Sequence, residues 1–184
     1  MKYYLVALFD KDSYKSIEDI QRNISKKYKL YKNLPTLHIT LEVIDDPNLN
    51  KLDEILTDIL KSYKQFKVEI SDVICFNEPY KSVNLKVENK GYIQRLNRVI
   101  NDKLKLHGFN VRNRASEWDL HISLANTNFA SREWSNHEFL NACTKAQNEG
   151  FYKLAKIERI ELWKPINNKR DMLIKSYPLK TFLE

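Results

Sequence analysis

The sequence predicts an α+β protein built from two similar halves, and three observations carry that expectation. The run His38-Ile39-Thr40-Leu41 returns as His121-Ile122-Ser123-Leu124. The offset between equivalent points is nearly constant: 83 positions separate His38 from His121, and 85 separate Phe66 from Phe151. Strand-like and helix-like runs alternate in the same order around each copy. A chance tetrapeptide would not carry its neighbouring elements with it, so an internal duplication about a pseudo-twofold axis is expected across residues 1–184, as one domain of two lobes.

The elements follow in order. Tyr3–Phe9 is rich in β-branched and aromatic residues and apolar on both faces, as a central strand is. Ile17, Ile20, Ile24 and Tyr28 then recur at helical spacing, and Pro35 closes that connection. Leu37–Val43 reads as the first histidine-bearing strand. A second helix carries Leu52, Ile55, Leu56, Ile59 and Leu60 on one stripe, and Phe66–Phe76 reads as a strand. Ser82–Val87 opens the second half as a strand. A helix follows with Ile93, Leu96, Ile100 and Leu104, stopped by Gly108 as a C-terminal cap. Asp119–Ala125 is the second histidine-bearing strand. Ser135 and Glu138 spell a capping box for a helix carrying Leu140 and Cys143 that ends at Gly150. Phe151–Trp163 and Met172–Leu179 finish as strands joined by a polar turn at Asn167–Lys169.

Composition narrows the function classes. The 184 residues are 42% hydrophobic and 30% charged, with only 3 glycines and 5 prolines, which suits a folded domain without long linkers. The apolar runs are too short to span a bilayer, and the strand-like start leaves no expected leader or membrane partner. Cys75 and Cys143 lack any metal-ligand or CxxC spacing, so buried reduced thiols and a cytoplasmic location are expected. The net charge of +7 admits a polyanionic partner but does not demand one. There is no GxGxxG, no P-loop and no HExxH, and two histidines leave a zinc site short of ligands, so no cofactor or metal is expected.

Chemistry concentrates in the repeated motif. Alternate residues of a strand share a face, so each copy presents an imidazole beside a hydroxyl. An imidazole titrates near neutrality; one can act as base while its counterpart acts as acid. Thr40 and Ser123 can donate to the non-bridging oxygens of a phosphoryl group as charge builds there. Two such pairs meeting at one pocket fit in-line cleavage of a phosphodiester.

The motifs His38-Ile39-Thr40-Leu41 and His121-Ile122-Ser123-Leu124, with the elements between them, resemble the 2H phosphoesterase superfamily, including its 2′-5′ RNA ligase-like and cyclic nucleotide phosphodiesterase members. The resemblance implies two antiparallel β-sheets facing across a central cleft with helices outside. It implies metal-independent opening of 2′,3′-cyclic phosphates on nucleotides or RNA ends, with reversible 2′-5′ ligation as the same chemistry run backwards. Many relatives carry proline before the second histidine and arginine shortly after it; here Leu120 and Asn126 stand there.

His38 and His121 are therefore the expected catalytic pair, with Thr40 and Ser123 on the phosphate. Arg112 and Arg114 are candidates to replace the missing arginine. Trp118, Tyr80 and Phe76 are candidates for base stacking. Glu42 shares the expected face of His38 and Thr40, with a rim salt bridge as its alternative role. Tyr177 lies in the last strand, and His107 and His137 read as surface residues at helix ends. The expected partner is a nucleotide or RNA substrate, handled by a monomer. Two rival readings stand beside this one: a phosphodiesterase for an ADP-ribose-type cyclic phosphate, and a non-catalytic RNA-binding module.

Overall fold

The computed structural model describes residues 1–113 and 119–181. Its order is β1 (Lys2–Phe9), α1 (Lys11–Tyr28), β2 (Ile39–Asp45), α2 (Leu49–Leu60), β3 (Phe66–Phe76), β4 (Ser82–Val87), α3 (Gly91–Leu106), β5 (His121–Ala125), α4 (Asn136–Glu149), β6 (Lys153–Trp163), α5 (Lys169–Met172) and β7 (Leu173–Pro178). Strands pair in the order β1-β2-β5-β4-β3-β6-β7, with β6 also pairing to β1. Every pairing between these strands is antiparallel. The mixed α+β class is as the sequence predicts.

β1 lies between β2 and β6, which explains why its residues from Leu5 to Phe9 are buried whichever face they point to. β6 is shared: its first residues pair with β3 and its last with β1 and β7. Exchanging β1 with β4, β2 with β5 and β3 with β6 returns the same set of pairings among these six strands. β2 and β5 pair at one residue pair, Ile39 with Ile122.

Helices α1 to α4 pack against the main core of the sheet. α1 starts where Asp10 accepts from the Ser13 amide at 3.0 Å, and it ends at Lys29 in the left-handed conformation. Its most buried line is Ser13, Ile17, Gln21, Ser25 and Tyr28, rotated from the predicted stripe so that Ile20 and Ile24 are only partly buried. The polar members have uses. Gln21 Nε2 donates to the Pro35 carbonyl at 3.0 Å, and Ser13 Oγ accepts from the Lys156 amide at 3.0 Å. The predicted apolar stripe of α3 is buried as expected, and Gly108 at φ +81° follows its end. The capping box of α4 forms between Ser135 and Glu138, whereas Leu140 turns to solvent and Phe139 faces the core. On the other side of the sheet Val6, Leu8, Trp163 and Met172 form a smaller cluster.

One expectation is overturned. Cys75 on β3 and Cys143 on α4 form a disulfide, their Cα atoms 6.3 Å apart, rather than two reduced thiols. The fold brings them together across 68 positions, a proximity with no local signature in the chain. With it goes the ground on which a reducing compartment was expected. Among the described residues, no helix is long and apolar enough to cross a membrane.

Candidate active site

The site is built at the junction of β2 and β5. Ile39 and Ile122 are wholly buried, so the residues flanking each must point to the opposite face. His38, Thr40, His121 and Ser123 do so, each partly open to solvent. Continuing the Ile39–Ile122 register sets His38 across from Ser123 and Thr40 across from His121. His38 lies just before β2 and His121 opens β5, so both sit at strand starts where the backbone turns.

Both rings are anchored in the same way. His38 Nδ1 lies 2.7 Å from the Thr36 carbonyl, and His121 Nδ1 lies 2.8 Å from the Asp119 carbonyl, each two residues upstream. A carbonyl only accepts, so each Nδ1 carries the proton and each Nε2 is left as the proton-transfer atom. The rings also have matching aromatic neighbours. Trp163, the last residue of β6, meets His38 edge-on at 4.7 Å, and Phe76, the last residue of β3, meets His121 at 5.3 Å.

The electrostatics of His38 are resolved. Burial pushes its pKa below the usual histidine value; the Thr36 carbonyl opposes this and the nearby His121 charge adds to it. Behind His38, Trp163 Nε1 donates to Glu161 at 2.9 Å, and Glu161 in turn accepts from Arg159 Nε at 2.9 Å. No motif in the sequence singles out Trp163. The one signal that points to it is positional: it ends the strand equivalent to the one that Phe76 ends.

Asn126, just after the second motif, is tied into the site by its local bonds. Its Nδ2 donates to Ser123 Oγ at 2.6 Å while its Oδ1 accepts from the Asn128 amide at 2.7 Å. With an incoming donor on its oxygen, Ser123 is left to point its own hydrogen elsewhere. Tyr31 secures the backbone of Asn126, its hydroxyl donating to the carbonyl at 2.6 Å and accepting from the amide at 2.9 Å. Lys86 on β4 pairs with His121 across the sheet, so its half-exposed ammonium stem leaves the same face as the imidazole.

The remaining candidates are dispersed. Arg112 is engaged within the fold: its Nε donates to the buried Glu42 carboxylate at 2.7 Å and its guanidinium also donates to the Leu41 carbonyl. The cause is a bulge in β2, where Leu5 pairs with Glu42 but Val6 pairs with Thr40. The extra residue turns Glu42 off the face of Thr40 and toward α3, where Asn101 Nδ2 donates to it at 2.9 Å. Arg114 and Trp118 lie outside the described residues. Tyr80 is exposed in the β3–β4 turn, and its carbonyl accepts from both the amide and the hydroxyl of Thr127. Tyr177 donates to Asp53 at 2.7 Å, and burial together with that bond raises its pKa. His107 caps α3, and His137 lies in the first turn of α4.

Known proteins share this fold. By fold the chain is similar to TT0787 of Thermus thermophilus, at 13% identity and a TM-score of 0.62, covering 99% of this chain and 100% of that one. It is similar to E. coli LigT complexed with 3′-AMP at 12% identity and a TM-score of 0.60, covering 97% of each chain. Usb1 of Kluyveromyces marxianus follows at 12% identity and a TM-score of 0.51, covering 97% of this chain and 98% of that one. No curated protein matches by sequence. The family model of the 2′-5′ RNA ligase superfamily matches residues 9–169, most of the sequence, and the chain belongs to that superfamily.

Proposed function

We propose that this protein opens 2′,3′-cyclic phosphates of nucleotides or RNA ends by two-histidine acid/base catalysis. The observation that supports the reading is the meeting of the two motif strands at Ile39 and Ile122, with each imidazole held by an upstream carbonyl. Water attacks phosphorus as a base takes its proton, the bond from phosphorus to one ribose oxygen breaks, and the acid protonates that oxygen. His38 is the base, since burial keeps it neutral with Nε2 free. His121 is the acid. Thr40 and Ser123 donate to the non-bridging oxygens, and Lys86 offsets their charge in place of an arginine at 126.

The neighbour LigT was solved with 3′-AMP, which is what opening a 2′,3′-cyclic adenylate at its 2′ oxygen yields; this supports the substrate class. No metal enters the steps, so turnover should persist in EDTA. The test is an assay of the purified protein against uridine 2′,3′-cyclic phosphate, a 2′-5′ dinucleotide and a cyclic phosphate of ADP-ribose. Turnover of the first supports the reading. Turnover of the third alone favours the small-metabolite rival, and turnover of none, with RNA still bound, favours a binding module.

A further inference from the structure

The two motif hydroxyls have different neighbours three residues downstream. After Ser123 comes Asn126, whose Nδ2 donates to Ser123 Oγ at 2.6 Å. After Thr40 the equivalent place holds Val43, whose side chain has nothing to donate. Chemistry fixes which end of the Asn126 amide meets Ser123. The Asn128 backbone amide can only donate, and it donates to Asn126 Oδ1 at 2.7 Å, so the NH2 end is the one turned to Ser123. A hydroxyl that meets a donor cannot give its own hydrogen back to it. The Ser123 hydrogen is therefore left for an acceptor outside this pair, and Ser123 shares a strand face with His121.

Asn126 is itself clamped through its main chain. Tyr31 Oη donates to its carbonyl at 2.6 Å and accepts from its amide at 2.9 Å, a double contact across 95 positions. Burial, only partly offset by that carbonyl bond, raises the Tyr31 pKa, so the phenol keeps the proton the clamp uses. The next residue is held as well, since the amide and hydroxyl of Thr127 donate to the Tyr80 carbonyl at 2.9 and 3.0 Å. None of these bonds uses the Asn126 side chain, so the backbone there does not depend on its amide. We propose that Asn126 is a positioning residue that holds Ser123 as a one-way donor to a phosphoryl oxygen of the substrate, with Tyr31 fixing Asn126 in turn. The proposal rests on the reading of a phosphate site at the two motifs. It goes beyond that reading in giving the second motif a donor oriented before substrate arrives, a device for which the first motif has no counterpart at Val43.

The test is a double-mutant cycle on turnover of uridine 2′,3′-cyclic phosphate. Losing a preorganised donor to such an oxygen costs about 10²–10³-fold in kcat, the range expected for Ser123→Ala. Asn126→Ala only frees the orientation of that donor and should lower kcat roughly tenfold with KM little changed. Asn126→Asp still accepts from the Asn128 amide but takes the Ser123 hydrogen for itself, so it should fall further than Asn126→Ala. The decisive comparison is with a second substitution. Asn126→Ala should cost nothing more in a Ser123→Ala background, yet keep its tenfold cost in a Thr40→Ala background. Tyr31→Phe should show the same dependence on Ser123. Equal losses in both backgrounds make Asn126 a merely structural residue and overturn the proposal. A second cycle needs no turnover: calorimetric binding of uridine 3′-phosphate, which Asn126→Ala should weaken about threefold in the native chain and not in Ser123→Ala. Additive effects there also overturn it. A non-additive binding cycle in a protein that turns over no cyclic phosphate removes the proposed reaction and leaves the Asn126–Ser123 device standing.

Discussion

The two histidines have the same skeleton and different surroundings. Each ring is pinned by the carbonyl two residues before it, and each meets an aromatic residue that ends a long strand. His38, however, lies by Trp163, which packs with Val6 and Leu8, and burial depresses its pKa. His121 stands across the sheet from Lys86, and the strand behind it is stapled to α4 by the disulfide at Cys75, next to Phe76. A duplicated frame supplies aim; the unshared side chains supply difference. Acid/base chemistry needs both, because two identical imidazoles would compete for one role.

The comparison breaks most severely when either ring is removed. His38→Ala and His121→Ala should each lower kcat by roughly 10²–10⁴-fold with folding intact, measured by circular dichroism alongside steady-state turnover. Undiminished activity in either variant would mean that the two motifs do not act as a pair.

The first half has an ionic support behind its motif strand. The Glu42–Arg112 pair is buried and satisfied further by Asn101, so Arg112→Ala leaves a carboxylate without its cation. A loss of about 3–5 kcal/mol is expected in urea unfolding. If Arg112 bound phosphate instead, the variant would raise KM at unchanged stability, and that result would return Arg112 to the substrate site.

The second half has a covalent counterpart. Reducing Cys75–Cys143 opens a loop spanning 68 positions and should cost about 2–4 kcal/mol, read as a drop in the unfolding midpoint with dithiothreitol. No change on reduction would remove the staple from the account of how Phe76 is held.

What the sequence disclosed follows from range. The stripe of Ile93, Leu96, Ile100 and Leu104 and the Ser135–Glu138 box are local patterns, and local geometry alone decides them. The motif residues were legible because they recur. The Glu42–Arg112 pair was not, since one extra residue at a bulge reverses the side on which Glu42 emerges, and nothing in Leu41-Glu42-Val43 announces it. Nor was the β2–β5 junction: a single residue pair between strands 83 positions apart has no periodicity to reveal it. Trp163 belongs to the same class, its role fixed by a partner that lies far away in the chain.

The smallest effect is also the sharpest test of the asymmetry. Trp163 covers His38, so Trp163→Ala admits water and should move the His38 pKa back up toward 6.5. The sign follows from the base role: activity requires neutral His38, so the acid limb of the kcat/KM profile lies below 6.5 in the native protein and should shift to higher pH in the variant. Native stability carries the same sign. A histidine with a lowered folded pKa binds its proton more weakly than in the unfolded chain, so stability falls as pH drops from about 6.5 through that lower value, and the variant should lose less over this window. The rate cost of the lost ring contact is about fivefold, corresponding to roughly 1 kcal/mol. Phe76→Ala should incur a similar rate cost without moving the acid limb, because Phe76 touches His121 and not His38. Equal shifts in both variants would show that the two surroundings are interchangeable and that the division into base and acid lies elsewhere.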